Sequence, residues 1–263
     1  MGFSAGLNLA VFVLGLIVGS FLNAVIHRLH TGDSILEKHS RCPHCQHALA
    51  WRDLVPLASF IVLAGRCRYC QRKISLQYPL VELCTGFVFV LIAQNFQFSI
   101  TNFQSIFNFQ FLFQLVFTCF LIIIFVYDLK HYLILDKVLW PAVILAAGYE
   151  LWQGNFWSAA VGALVLAGFF GLLFAVSRGR WIGFGDVKLG IFLGLLTGWP
   201  EVLVLFFLAY LSGAAVGVGL MAAGTRGLAD RVPFGTFLTA SAFVVMLWGE
   251  GMITWYFQLI GIR

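Results

Sequence analysis

Long apolar stretches separated by short polar loops dominate the sequence. A helix that crosses the hydrocarbon core of a bilayer needs about 20 mostly apolar residues, and eight stretches approach this pattern. The sixth is short and rich in glycine, so a re-entrant or tightly packed helix is also compatible with it. The stretches are residues 7–27, 79–97, 108–127, 134–152, 157–176, 187–199, 201–223 and 235–259. The pattern predicts an all-α polytopic membrane protein with about eight transmembrane helices.

The composition supports a lipid environment. Hydrophobic residues make up 61% of the chain and charged residues only 10%. A soluble domain of this length could not keep that much apolar surface from water. The first apolar stretch has no basic residue before it and reaches spanning length, so we interpret it as a retained helix. We expect the helices to approach each other at glycines such as Gly213, Gly217 and Gly219.

The basic residues orient the predicted spans. With the N-terminus on the periplasmic side, fifteen of the sixteen Lys and Arg residues fall on inward-facing segments, and only Arg263 does not. This distribution follows the positive-inside rule. The inward-facing residues are Arg28, Lys38, Arg41, Arg52, Arg66, Arg68, Arg72, Lys73, Lys130, Lys137, Arg178, Arg180, Lys188, Arg226 and Arg231. They are not interleaved with aromatic residues in an exposed run, so no nucleic-acid partner is expected.

Three segments follow from this arrangement. We predict a first transmembrane helix over residues 1–27, a cytoplasmic loop domain over 28–78, and a transmembrane bundle over 79–263. The loop domain is basic. We therefore expect it to contact anionic membrane lipids.

The loop domain contains two Cys-x-x-Cys pairs, Cys42 with Cys45 and Cys67 with Cys70, separated by 21 residues. Four thiolates at this spacing are typical of a tetrahedral zinc site. Two disulfides are the alternative, but they need an oxidising compartment, and the charge pattern places the loop in the cytosol. We favour zinc. A closed four-thiolate site is structural, so the metal would fold the loop and take no part in chemistry.

Four carboxylates lie at or near the ends of predicted spans, where ionisable groups are costly and often functional. The predicted topology places all four at cytoplasmic ends. Two carboxylates at one depth can share a proton and activate a water, one acting as base and the other as acid. The four are Glu82, Asp128, Asp136 and Asp186.

A structural interpretation of these carboxylates is also open. Aspartates at helix N-termini are ordinary caps, which fits Asp136 and Asp186. It does not fit Asp128, because a negative charge at a helix C-terminus opposes the dipole unless Lys130 compensates it. Physical arguments alone leave both interpretations open for Asp128 and Asp186. Glu82 has no cationic neighbour in sequence, which favours a functional role or a polar network.

Taken together, these motifs resemble those of the type IV prepilin leader peptidases, bifunctional enzymes of the Gly-x-Gly-Asp class of intramembrane aspartyl proteases. The resemblance covers nearly the whole chain. It rests on Gly19-Ser-Phe-Leu-Asn-Ala-Val-Ile-His-Arg28, the two cysteine pairs, Leu54-Val-Pro56, Tyr78-Pro-Leu-Val-Glu82, Asp128 eight residues before Asp136, and Gly183-Phe-Gly185-Asp186-Val-Lys188. The glycines before Asp186 permit a tight turn and close approach of a substrate backbone.

The resemblance implies a function and a set of site residues. Such enzymes cut a basic leader from type IV prepilins and type II secretion pseudopilins at the cytoplasmic face of the bacterial inner membrane. They then N-methylate the new N-terminal residue, usually Phe, with S-adenosylmethionine as donor. The catalytic aspartates map onto Asp128 and Asp186. The supporting positions are Gly183, Gly185, Lys188, Asp136 and Glu82.

Two positions depart from the family pattern. The family usually has Pro where this chain has Leu135, which we expect to loosen the start of the fourth span. A Gly often follows the last cysteine of the loop, where this chain has Gln71. That loop is linked in the family to methylation, so a protease that does not methylate is an alternative. An ion-coupled transporter and a scaffold without activity are further alternatives.

Overall fold

The computed structural model describes residues 2–34, 40–96, 109–224, 233–259 and 261 of the 263-residue chain. The predicted basic positions Lys38, Arg226, Arg231 and Arg263 lie outside the described residues. Within them the structure is helical, with two isolated β-bridges in the cysteine loop. The elements are α1 Gly2–Thr31, a 3-10 turn Trp51–Asp53, α2 Ala58–Val62, α3 Gln77–Asn95, α4 Phe109–His131, α5 Asp136–Gln153, α6 Phe156–Ser177, α7 Phe184–Thr197, α8 Glu201–Ala222 and α9 Phe234–Leu259. The predicted all-helical class is confirmed.

Each of the eight predicted stretches corresponds to one helix, but eight crossings are not confirmed. Among the described residues, six helices are long and apolar enough to cross a membrane: α1, α3, α4, α6, α8 and α9. The 14 residues of α7 extend about 21 Å, less than the roughly 30 Å hydrocarbon core. Three side chains of α7, those of Leu189, Phe192 and Leu193, are fully buried, so protein surrounds this helix.

The chain forms two compact units, Met1–Leu115 and Val116–Arg263. In the first unit α1 packs along α3. A Cβ atom added to Gly19 would lie 2.8 Å from the Cα of Glu82, and one added to Gly15 would lie 2.7 Å from the Cα of Gly86. These glycines therefore allow the two backbones to touch. The predicted division of the sequence at residues 27 and 78 stays a prediction.

In the second unit α7 packs against α5, α6, α8 and α9. Its closest approach is to α6, where a Cβ added to Gly194 would lie 2.5 Å from the Cα of Ala163. The expected close packing at Gly217 and Gly219 is wrong, since a Cβ at either position would meet nothing within 4 Å. Both glycines lie on α8, away from its neighbours.

The contact between α6 and α7 predicts a stability difference between two glycine substitutions. Gly194→Ala should destabilise the protein by roughly 1–3 kcal/mol, because its methyl group would overlap the backbone of α6. Gly168→Ala is the matched control on α6, because a Cβ there meets nothing within 4 Å. Thermal unfolding in detergent measures the effect. Equal unfolding temperatures for the two variants would contradict this packing.

Candidate active site and metal centre

Asp128, in the last turns of α4, is buried with 5% of its surface exposed. Its Oδ2 atom accepts a hydrogen bond of 2.9 Å from the backbone N–H of Thr236, and the N–H of Gly235 also donates to this carboxylate. Both donors belong to the first turn of α9, where backbone N–H groups have no partner within their own helix. The positive end of α9 therefore holds the carboxylate of Asp128.

The residues at the start of α9 allow the Asp128 carboxylate to approach its backbone N–H groups closely. Pro233 precedes the helix, and its carbonyl accepts a 2.6 Å hydrogen bond from the Thr236 hydroxyl. Gly235 is equally constrained, because a Cβ atom there would lie 2.8 Å from the Asp128 Oδ2. Sequence reasoning missed Gly235 and Thr236. The available signal was Pro233-Phe-Gly-Thr236 at the start of the last apolar stretch, since Pro favours a helix start and Gly allows close approach.

Asp186 lies in the first turn of α7. Its Oδ2 accepts a 3.3 Å hydrogen bond from the N–H of Gly183, the residue that caps the helix. The expected capping role is therefore present. The carboxyl groups of Asp186 and Asp128 are also close enough to interact electrostatically. The structure thus brings together two aspartates that are separated by 58 positions in the sequence, and each receives backbone N–H donors.

Ile134, in the connection between α4 and α5, packs beside both aspartates. A Cβ added to Gly185 would lie 3.3 Å from the Cβ of Ile134, and one added to Gly235 would lie 3.5 Å from its Cδ1. The glycine next to Asp186 and the glycine that donates to Asp128 therefore contact the same side chain. Sequence reasoning did not single out Ile134.

Asp136 has a different partner from the aspartate pair. Its carboxylate forms an ion pair with the ammonium group of Lys188, which joins the start of α5 to α7. The Asp136 side chain is 56% exposed, whereas that of Lys188 is 18% exposed. Helix α5 begins at Asp136 with Leu135 as its N-cap residue. The expected loosening of this helix start at Leu135 stays a prediction.

Glu82 belongs to a polar network in the first unit. Its Oε2 accepts a 2.9 Å hydrogen bond from the N–H of Leu57, and the Ser20 hydroxyl also donates to it. Leu57 has φ +56° and ψ −47°, and a positive φ is costly for a branched side chain. Asn23, also buried, donates a 3.0 Å hydrogen bond to the carbonyl of Tyr78. These contacts join α1, α3 and the loop turn.

The four cysteines of the loop lie together. Their Sγ atoms are all within 4.8 Å of one another, and those of Cys42 and Cys70 are 3.9 Å apart. A tetrahedral zinc with Zn–S bonds of about 2.3 Å places sulfurs about 3.8 Å apart, whereas a disulfide needs about 2.05 Å. The donor set and spacing therefore fit a metal ion held by four thiolates.

The electrostatics at Cys42 favour the thiolate form. Burial alone would raise the pKa of Cys42, but hydrogen bonds from the backbone N–H groups of Cys45 and His44 lower this pKa to about 7. A metal ligand must be deprotonated. In the same cluster the Arg72 N–H lowers the pKa of Cys70, but burial and the neighbouring thiols raise it to about 11, so the four thiols do not favour the thiolate form equally.

The two cysteine pairs form equivalent turns. Both have the sequence Arg-Cys-x-x-Cys-Gln, a short repeat that sequence reasoning overlooked. The N–H of Gln46 donates to the carbonyl of Cys42, and the N–H of Gln71 donates to that of Cys67, each at 2.9 Å. Both glutamines have positive φ, 57° and 59°. Glycine would adopt this conformation without cost, and Gln71 adopts it too, so the departure at Gln71 preserves the turn.

Asp53 stabilises the second of these turns through hydrogen bonds with two of its side chains. It accepts hydrogen bonds from Arg68 Nε at 2.7 Å and from the Tyr69 hydroxyl at 3.1 Å. Burial acts to raise the pKa of Asp53, but these two donors hold it below its ordinary value. The Tyr69 ring also stacks on His47, with centroids 3.7 Å apart. The two turns are therefore connected by side chains as well as by the cysteine cluster.

Comparison with protein-family models gives two matches along the chain. Residues 13–96 match the bacterial peptidase A24 N-terminal domain, and residues 115–218 match the type IV leader peptidase family. The first range contains the cysteine cluster and Glu82. The second contains both aspartates of the pair together with Asp136 and Lys188.

Curated relatives are similar over nearly the whole chain. A prepilin leader peptidase/N-methyltransferase of Stutzerimonas stutzeri is 31% identical over 95% of this chain and 93% of its own length. A protein of the same name from Aeromonas hydrophila is 30% identical over 94% of this chain and 92% of its own length. One from Bacillus subtilis is 29% identical over 95% of this chain and 97% of its own length. No solved structure matches the chain.

Proposed function

The chain belongs to the type IV leader peptidase family, and on this premise we propose that it removes the leader from type IV prepilins and N-methylates the new N-terminal residue. The observation that carries the peptidase half is the electrostatically coupled pair Asp128 and Asp186. The six apolar helices and the family together indicate a multi-pass protein of the inner membrane. The relatives named prepilin leader peptidase/N-methyltransferase support the methylation half.

In the proposed reaction the two aspartates divide the roles of base and acid. Two carboxylates that interact electrostatically disfavour being ionised together, so in the proposed mechanism they share one proton. Asp128 keeps the negative charge, because the 2.9 Å hydrogen bond that it accepts from the Thr236 N–H is shorter than the 3.3 Å bond that Asp186 accepts from the Gly183 N–H. Asp186 carries the proton. Asp128 takes a proton from water as the water oxygen attacks the peptide carbonyl, and Asp186 gives its proton to the carbonyl oxygen. The C–N bond then breaks, and the leaving amine takes the proton from Asp128. As the carboxyl group of the product forms, one hydroxyl of the gem-diol returns its proton to Asp186.

The proposed orientation places the N-terminus in the periplasm and the cysteine loop in the cytoplasm, supported by the distribution of basic residues. A prepilin has a basic leader followed by an apolar helix. Such a helix can lie in the bilayer beside the second unit, with its cleavage point at the cytoplasmic boundary. We extend the proposal to the pseudopilins of type II secretion, which share this design. S-adenosylmethionine is the proposed methyl-donor substrate.

We further propose that zinc is the metal of the loop. Cys42, Cys45, Cys67 and Cys70 would hold it. When bound, it would supply a cross-link between the two cysteine turns and no chemistry, because a site closed by four thiolates has no open position. The spacing of the four Sγ atoms supports this proposal.

Loss of either aspartate should abolish cleavage. We would co-express the protein with a prepilin in a host that lacks its own processing enzyme and measure the intact mass of the pilin. We expect the wild type to remove the leader and add one methyl group, and Asp128→Asn and Asp186→Asn to leave the prepilin uncut. Cleavage without the methyl group would support the protease-only alternative. Cleavage by either variant would exclude the aspartate pair.

Gly235→Ala should reduce cleavage by on the order of 100-fold, because a displacement of about 1 Å at a catalytic group has that effect. The added methyl group would lie 2.8 Å from the Asp128 Oδ2 and would push the carboxylate off the N–H groups of α9. Gly251→Ala is the matched control in the same helix, since a Cβ there meets nothing within 4 Å. Initial rates of prepilin cleavage measure the difference. Equal rates would show that the donation from α9 does not matter.

Purified protein should contain about one zinc ion per chain, measured by elemental analysis. Cys67→Ser should lose the metal and leave the loop more sensitive to a soluble protease. Cys84→Ser is the control, because Cys84 is on α3 and outside the cluster. Retention of full zinc content by Cys67→Ser would contradict the proposed site.

A further inference from the structure

Helices α8 and α9 border a cavity in the second unit. Its volume is about 270 Å³. Tyr210, Gly213 and Ala214 line it from α8, and Phe234 and Phe237 line it from α9. None of these side chains is charged, and three are aromatic. The cavity is smaller than the roughly 300–1,000 Å³ that is usual for whole small-molecule ligands, and it suits a single large side chain.

Two of the residues that line this cavity are connected to the aspartates of the proposed active site. Phe234 directly precedes Gly235, whose N–H donates to Asp128. Tyr210 is close enough to Asp186 to interact with it electrostatically. The rings of Tyr210 and Phe234 pack against each other with centroids 5.1 Å apart. Phe234 therefore connects the cavity to the turn that binds Asp128, and Tyr210 connects it to the surroundings of Asp186.

We propose that the cavity binds the apolar side chain directly after the scissile bond of the substrate. This proposal rests on the proposed peptidase function and identifies a specificity site for it. The walls are apolar, so burial of an apolar side chain is favourable and burial of a charged one is not. In a substrate with a basic leader and an apolar helix, charged residues lie before the cut and apolar residues after it. The aromatic walls favour an aromatic side chain, through edge-to-face and offset packing.

The cavity is accessible to a substrate. Tyr210 is 39% exposed, Phe234 and Phe237 are half-buried, and Ala214 is exposed. Both α8 and α9 are apolar enough to cross the membrane. A substrate helix lying in the bilayer can therefore insert its first side chain between these helices without leaving the lipid.

Gly213 keeps the cavity open. A Cβ added there would lie 3.5 Å from the ring of Phe237 and 4.0 Å from that of Phe234, which are ordinary contact distances. Small side chains therefore fit at this position, and larger ones fill the cavity. Gly217, one turn further along α8, provides a matched control, since a Cβ there meets nothing within 4 Å.

The test uses the full-length protein and two purified prepilins that differ only in the residue after the scissile bond, Phe in one and Ala in the other. We would measure kcat/KM for each substrate with the wild type, Gly213→Leu and Gly217→Leu. We expect the wild type to prefer Phe. Gly213→Leu should lower kcat/KM for the Phe substrate at least about tenfold and change that for the Ala substrate little. Gly217→Leu should behave as the wild type.

A second variant changes the cavity in the opposite direction. Phe237→Ala enlarges it, so the cleavage of a substrate with Trp after the scissile bond should rise relative to the Phe substrate. If Gly213→Leu does not fold, Gly213→Ala should show a smaller shift of the same sign. A folded Gly213→Leu that keeps the wild-type ratio of Phe to Ala cleavage would overturn the proposal and leave lipid as the occupant. A wild type that cuts neither substrate would overturn the proposed function itself.

Discussion

The second unit is organised around the carboxylate of Asp128, which the first turn of α9 binds. Asp128 ends α4, where the dipole of its own helix disfavours a carboxylate. The first turn of α9 compensates through the N–H groups of Gly235 and Thr236. This one contact determines several others. Gly235 must lack a side chain, and Ile134 packs beside the two glycines that lie next to the carboxylates. The Pro233 carbonyl accepts a hydrogen bond from the Thr236 hydroxyl in the same turn.

Much of this arrangement follows from local sequence, but the partner of Asp128 does not. Apolar runs of spanning length gave helix boundaries close to those observed, and the Gly-x-Gly-Asp turn was predicted with its cap. The donor to Asp128 is 108 residues away in sequence, and no local pattern connects the two. The glycines on α8 are a second case in which the sequence does not identify the contact partner. A glycine permits close packing, but its sequence position does not say which face of the helix meets a neighbour, so Gly217 and Gly219 were assigned wrongly.

In the first unit, a polar loop is attached to two apolar helices, α1 and α3. Glu82, buried within α3, accepts the N–H of Leu57 from the loop and the hydroxyl of Ser20 from α1. An isolated carboxylate in this position would be costly, whereas one with these donors connects three segments. The sequence favoured a functional role or a polar network for Glu82, and the polar network is present. Its partners could not be predicted, since the positive φ of Leu57 has no signature in its residue type.

The shortness of α7 also has a consequence for the solvent of the reaction. A helix of about 21 Å cannot by itself match a hydrocarbon core of about 30 Å, so the longer helices packed around it must make up the difference. Its fully buried side chains show that protein, not lipid, covers its flanks. The start of α7 is less covered than its flanks, since Gly183 and Phe184 are exposed and Asp186 is half-buried. Hydrolysis of a peptide bond consumes a water molecule, so that water must reach the aspartates at this uncovered end of α7 and not along its buried flanks.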